Sequence, residues 1–401
     1  MIRHLFRLAW NCRRGYALLG LEVLLSFLIL SVIAVSALNE LRIFYQPLGF
    51  DYRDVWWVHL QPKSSAADAT IMPEVYRALD DFEEVEGVAA DSSPPFAFHV
   101  SSNKGEYGRA SAYFEYSMVS DRLDEVLKLN LVAGRWFTRE DDALGEEPVV
   151  VTRKLAHTFF GEEDPLDKII STKGFNGEEE ALRVVGVVDY CRNKSPFEPE
   201  EPEFFLYRRV RGGRAAAEPQ SYTPPIWFLI RVQPGTPHSF EKQIRERLAP
   251  VVRQWSIEVE TLEGKRAMWI NGATKLLIMR GVIVAFMLLM VALGLVGVLW
   301  QSVTQRTREI GIRRATGAEA RHVYAQFTGE MLVLTTVAVV LGVVLVLNSA
   351  VLDLFPSVGV GIYTAGLLSA ALVLYLLVIA AAMYPGWLAT RVQPAQALHH
   401  E

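Results

Sequence analysis

Four apolar runs, each close to the length of a membrane-crossing helix, constrain this chain more than any other feature. Crossing the hydrocarbon core of a bilayer takes about 20 consecutive apolar residues in a helix. The runs extend over about Tyr16–Leu38, Leu276–Trp300, Met331–Leu352 and Ile362–Tyr384. Inside a bilayer a helix satisfies its own backbone polar groups, so four transmembrane helices are expected. A cleaved leader is the competing reading of the first run, because Val35-Ser36-Ala37 loosely resembles a cleavage site. The run is long for a leader, and the three later spans need the topology it supplies.

Charge assigns the sides. Residues 39–274 carry 39 acidic and 28 basic side chains, a net of −11, and the remainder carries 12 basic and 6 acidic, a net of +6. Arg3, Arg7, Arg13 and Arg14 precede the first span; Arg306, Arg308, Arg313, Arg314 and Arg321 lie between the second and third; Arg391 follows the fourth. Short basic segments stay cytoplasmic. Both termini and the 301–330 loop are therefore expected in the cytoplasm, with residues 39–275 and the short 353–361 loop on the other side. Residues 1–15 read as an amphipathic helix on the inner leaflet, with Leu5, Leu8, Ala9 and Cys12 on one face. Spans of 16–38, 276–300, 331–352 and 362–384 and a 385–401 tail complete the layout. Glu22 is an intramembrane polar candidate, because a carboxylate inside a span is a functional hypothesis by default. With this topology Cys12 and Cys191 face opposite compartments and cannot pair.

The 39–275 segment has core signals of its own. Val55–Leu60, a helix near Pro73–Phe82 and a strand near Val85–Ala90 repeat the pattern of Ile226–Val232, a helix near Pro237–Trp255 and Ile257–Leu262. The fold class expected is an α-helical membrane protein with four transmembrane helices plus an α+β extracytoplasmic domain. That domain comprises two βαβ-like units, about 53–90 and 223–263, around an inserted mixed subdomain, 91–222. In the insertion Pro148–Gly161 reads as a strand entering a helix, and Leu182–Tyr190 as a strand. Glu198–Glu203 and Arg208–Arg214 read as loops. The domain has no GxSxG, no HExxH and no metal-spaced His/Cys cluster. The runs Asp80-Asp81 with Glu83-Glu84 and Glu178–Glu180 read as solvated faces, and His99 and His157 are isolated. Asn193-Lys194-Ser195 matches a glycosylation sequon, a pattern frequent by chance. No basic cluster is interleaved with aromatics, so nucleic acid is not an expected partner.

The 301–330 loop is the most specific stretch. Arg308, Glu309, Ile310, Gly311, Ile312, Arg313, Arg314, Ala315, Gly317 and Ala318, with Gln326, Phe327 and Glu330 downstream, resemble the signature of MacB/FtsX-type permeases of ABC systems. The tail Tyr384–Arg391 with Gln393-Pro394 and Ala397-Leu398 is similar to that family's ending. The first span departs from its usual Leu-Gly-Ile-x-Ile-Gly pattern, reading LLGLEVLLSFLIL. Independently of the name, Gly311 and Gly317 break a helical stretch, and four arginines within nine residues offer charge to an acidic groove. Positive-inside topology explains the arginines alone, but not Glu309 or the glycines.

The resemblance implies a non-catalytic permease subunit in the cell inner membrane with its large domain periplasmic. Residues Arg308 to Ala315 and Gly317 would couple to the ATPase. The chain has no GxxxxGK[ST], so it binds no cofactor itself; ATP and Mg are expected on a separate ABC ATPase subunit. A second permease copy, in a homodimer or a related heterodimer, membrane lipid and a periplasmic adaptor protein complete the expected partners. Three roles fit: mechanotransmission driving efflux or export, regulation of a cell-wall hydrolase or sensor, and lipoprotein release.

Overall fold

A computed structural model describes residues 13–63, 71–97, 101–143, 145–174, 177–197, 205–209, 226–305, 320–351 and 358–390. The chain divides into two compact units, residues 1–42 with 274–401 and residues 43–273.

The first unit is helical. Its elements belong to α1 (Arg13–Tyr45), α6 (Leu262–Gln305), α7 (Ala320–Val351) and α8 (Val360–Thr390). The stretches long and apolar enough to cross a membrane are Ala17–Tyr45, Leu262–Gln301, Thr328–Asn348 and Val360–Ala382. Leu19 and Val23 of α1 meet Val291, Leu295 and Leu299 of α6, Met331 and Ala338 of α7, and Val378 and Ala382 of α8. Phe27 and Val35 meet Val339, Val346, Tyr363, Leu367 and Leu374 in a second layer. The outward faces carry Ile278, Val282, Phe286 and Leu293, all more than half exposed. A soluble protein does not expose apolar surface on that scale, whereas a bilayer solvates it.

The second unit is built on strands β1 (Val55–Pro62), β2 (Val85–Asp91), β10 (Ile226–Val232) and β11 (Trp255–Thr261), with helices α2 (Met72–Asp80) and α5 (Phe240–Leu248). The strand order is β11-β1-β10-β2, all antiparallel. The two strand–helix–strand stretches therefore do not stand side by side as separate units. Strand β10 of the second lies between β1 and β2 of the first. Both faces are covered, which is why VWWVHL is buried at every position. Trp56, Val58 and Leu60 face Val75 and Leu79 of α2 and Phe240, Ile244 and Leu248 of α5. Val55 and Trp57 face the other way, toward Leu123, Val126 and Leu127 of the short helix α3 (Leu123–Leu127).

Residues between β2 and β10 form a closed ring of six strands. These are β3 (Ser101–Tyr107), β4 (Ala110–Val119), β6 (Glu147–Thr152), β7 (Ile169–Lys173), β8 (Glu179–Val188) and β9 (Phe205–Arg209). Pairing runs β4-β3-β7-β8-β6-β9 and returns to β4 through a parallel β4–β9 pair. Helix α4 (Arg153–Phe160) adds Leu155, Phe159 and Phe160 to an interior with Phe114, Tyr116, Val149, Val151 and Leu206. A short strand β5 (Leu131–Gly134) pairs with β8. The ring joins the four-stranded array through a single β2–β4 pair, Asp91 with Val119. Arg208 and Arg209, expected in a loop, instead close the ring within β9. Their charge is neutralised there: Arg208 pairs with Glu147 at 2.5 Å and Glu180 at 2.9 Å, and Arg209 with Asp121 at 2.5 Å.

Candidate functional site

The 308–317 segment singled out by sequence lies outside the described residues, as do residues 1–12, His99 and the tail beyond residue 390. The candidate sites that the structure describes lie within the 43–273 unit, around residues 43–47 and 262–269, and among the polar groups of the apolar helices.

At the end of α1 the guanidinium of Arg192, 1% exposed, gathers backbone carbonyls. Its Nη1 donates to Ile43 O and Gln46 O, both at 3.0 Å, and to Pro47 O at 3.4 Å, and Nη2 donates to Pro196 O. The last turn of any helix leaves carbonyls without intrahelical partners, and a cation there also complements the helix dipole. Arg192 thus caps α1 and ties it to the segment after β8.

At the start of α6, Leu262 is fully buried. Lys265 turns back onto β1 and β11, where Nζ lies 3.2 Å from Glu258, 2.9 Å from Glu260 and 3.8 Å from the Trp57 ring centroid. The cation is buried but paired twice, and the indole adds a cation–π contact. His59 Nδ1 is 3.3 Å from the same Glu258, and its ring stacks on Trp227 at 4.8 Å. Burial is the largest influence on His59 and pushes its pKa down, against the pull of Glu258. Burial works against the charge on Glu258, yet hydrogen bonds from Lys265 and His59 outweigh it and hold that carboxyl below its usual range. The next residue, Arg266, lies over the rings of Phe44 at 5.3 Å and Tyr52 at 4.9 Å, and one turn after Lys265, Trp269 Nε1 donates to Phe96 O at 3.2 Å. Two helix ends and a sheet face are stapled together by four side chains. None of them was legible as functional in the sequence, because an isolated Arg, Lys or Trp gains meaning only from what buries it.

In the helical unit, Arg280 Nη1 donates to Glu40 at 2.5 Å and to Ser36 at 3.4 Å. Glu22 is half-buried against α6 at Gly294, where an added Cβ would lie 2.6 Å from the carboxylate. Elsewhere, His157 is exposed and 3.2 Å from Glu162. Asn193 is buried and donates to Ser93 O at 2.7 Å, so the sequon holds a structural side chain. No group of three or more His, Cys, Asp or Glu residues that could hold a metal occurs among the described residues.

Residues 18–247 match the family profile of the MacB-like periplasmic core domain, and residues 281–394 match the FtsX-like permease C-terminal profile. The chain is 26% identical over 291 residues to the macrolide export ATP-binding/permease protein MacB of Wolinella succinogenes, spanning 71% of this chain and 42% of that protein. It is 23% identical over 292 residues to the uncharacterized ABC transporter permease YknZ of Bacillus subtilis, spanning 70% of this chain and 66% of that one. The chain thus covers less than two thirds of either relative's length. The crystal structure of the periplasmic region of MacB from Actinobacillus actinomycetemcomitans aligns with 57% of this chain and 98% of its own, at 14% identity and a TM-score of 0.40. With the periplasmic-core profile spanning more than half of its residues, the chain belongs to the MacB-like ABC transporter permease family.

Proposed function

We propose that this chain is the permease subunit of an ABC transporter and passes ATP-driven motion to a periplasmic domain. The observation that carries the reading is α6, one uninterrupted helix from Leu262 to Gln305. At about 1.5 Å per residue it extends roughly 66 Å. Its first turns bear Lys265, Arg266 and Trp269, and its end immediately precedes the Arg308–Gly317 motif. Both termini and that motif are cytoplasmic and the 43–273 unit is periplasmic, an orientation supported by the arginine-rich short segments. The motif docks an ABC ATPase dimer, which supplies ATP and Mg. Two permease copies are needed because one off-centre loop cannot engage both halves of that dimer.

The work done is export or efflux from the periplasm or outer leaflet, in keeping with the export named for the MacB relatives. Four spans with few charges offer little for a polar path through the bilayer, which favours work on a substrate outside it. Lipoprotein release and control of a cell-wall hydrolase or sensor use the same motion; a periplasmic adaptor encoded beside this chain favours efflux.

The test is substitution in the motif. Glu309→Lys and Gly311→Pro leave the protein inserted but unable to co-purify with an ATP-hydrolysing partner. Recovery of an intact, ATP-active complex from either variant contradicts the assignment.

A further inference from the structure

Polar groups within the apolar helices are almost all accounted for by the helices themselves. Ser31 Oγ donates to Phe27 O at 2.7 Å, Thr335 Oγ1 to Met331 O at 2.9 Å, and Glu40 takes Arg280. Glu22 differs from these: among the described residues no hydrogen bond or ion pair reaches its carboxylate. A charge inside a bilayer is expensive and normally faces a partner or a cavity.

Glu22 faces an open groove on the helix surface. A groove of about 500 Å³ is lined by Leu18, Leu19, Leu21, Glu22, Leu25 and Val298. Gly294 is what lets the carboxylate lie flat on the α6 backbone, since any side chain there would occupy its place. The groove opens sideways. Leu18, Leu21 and Leu25 are 73%, 52% and 50% exposed, so its mouth is toward the bilayer and not toward the bundle. An occupant therefore enters from the membrane. The lining fixes its chemistry: an aliphatic body along the leucines, and a cation with N–H donors at the carboxylate. A quaternary ammonium has no N–H and is held by aromatic faces, of which the lining has none among the described residues. Side chains of a helix lean toward its N-terminus. In the orientation proposed above, that aims Glu22 at the headgroups of the near leaflet.

We infer that the groove between α1 and α6 is a binding site for a bilayer lipid with a primary-amine headgroup, its ammonium held by Glu22 and its acyl chain by Leu18, Leu21, Leu25 and Val298. The inference rests on the membrane reading of these helices but not on transport, so its test needs neither ATP nor an ATPase.

The full chain is placed in nanodiscs of phosphatidylglycerol containing equal amounts of phosphatidylethanolamine and phosphatidylcholine. Lipid retained after mild detergent release is measured by native mass spectrometry. The wild type retains the ethanolamine lipid over the choline lipid by about tenfold, the scale of one charge-assisted hydrogen bond. Glu22→Gln, a neutral isostere that leaves the helix intact, retains both equally, and Gly294→Leu fills the space and retains neither. No headgroup preference in the wild type overturns the inference, as does an unchanged preference in Glu22→Gln. Dodecylamine is the competing probe. If it binds in a Glu22-dependent way while the ethanolamine lipid shows no preference, the groove serves a cationic cargo and the lipid assignment fails.

Discussion

Lys265 Nζ lies 3.8 Å from the centre of the Trp57 ring, between the carboxylates of Glu258 and Glu260. A long, flexible side chain is thereby fixed in the first turn of a 44-residue helix. Replacing it with Met keeps the aliphatic stem and removes the cation, leaving Glu258 and Glu260 facing each other. The expected loss is about 1–3 kcal/mol. It should read as a fall of several degrees in the thermal midpoint of the full chain in detergent. Glu260→Gln, which leaves Glu258 in place, should have the smaller effect.

Arg192 caps α1 by donating to Ile43 O, Gln46 O, Pro47 O and Pro196 O from a position 1% exposed. Arg192→Leu leaves those acceptors without a donor, and desolvated unpaired groups cost about 1–3 kcal/mol each. The thermal midpoint should fall further than for Lys265→Met. Arg192→Lys should not rescue it, because an ammonium cannot reproduce the planar fork. Full recovery with Lys would contradict the capping role.

Asp91 and His59 predict opposite pH dependences. Asp91 is buried with Ser117 Oγ and Ser93 N as donors, and burial, the largest influence, raises its pKa to about 6 from an ordinary 3.8. The native state binds this proton more tightly than the unfolded state. Its contribution to stability is present below about pH 4 and lost as pH rises through 6, roughly 3 kcal/mol in all. Asp91→Asn should therefore stabilise the protein more at pH 7.5 than at pH 4. His59 is lowered from 6.5, so the native state binds its proton less well. That contribution is present above pH 6.5 and lost as pH falls below it. Thermal midpoints of His59→Gln should decline less steeply than wild type below pH 6.5.

Gly105 in β3 faces the interior of the strand ring. A Cβ there would come within 2.8 Å of Phe114, 2.9 Å of Ile170 and 3.1 Å of Phe159. Overpacking of this kind costs about 1–3 kcal/mol. Gly105→Val should lower the midpoint accordingly, whereas Gly108→Ala, with no atoms nearby, should act only through its positive φ of 57°.

Apolar patterning exposed the four long helices and the strands rich in β-branched and aromatic residues, such as Val55–Pro62 and Ile226–Val232. Strand pairing was hidden. Nothing in the order β1-α2-β2 says that β10 will lie between its strands, because long-range partners are chosen by the assembled sheet. Strand β3, SSNKGEY, carries almost no apolar signal; it forms because β4 and β7 flank it and Gly105 admits the core. Arg208-Arg209 read as loop because their acidic partners Glu147, Glu180 and Asp121 are distant in sequence. Glu22 was visible as a carboxylate in an apolar run. Arg192 and Lys265 were not, since only burial distinguishes them from surface charges.

In the proposed function, motion entering at residues 308–317 reaches the start of α6. Hydrogen exchange of the Leu262–Trp269 amides in the complex of full-length chain and ATPase, with and without trapped ATP, tests it most directly. Wild type should show a nucleotide-dependent change that Glu309→Lys abolishes. Identical exchange in both nucleotide states of the wild-type complex would contradict it, as would an undiminished change in Glu309→Lys.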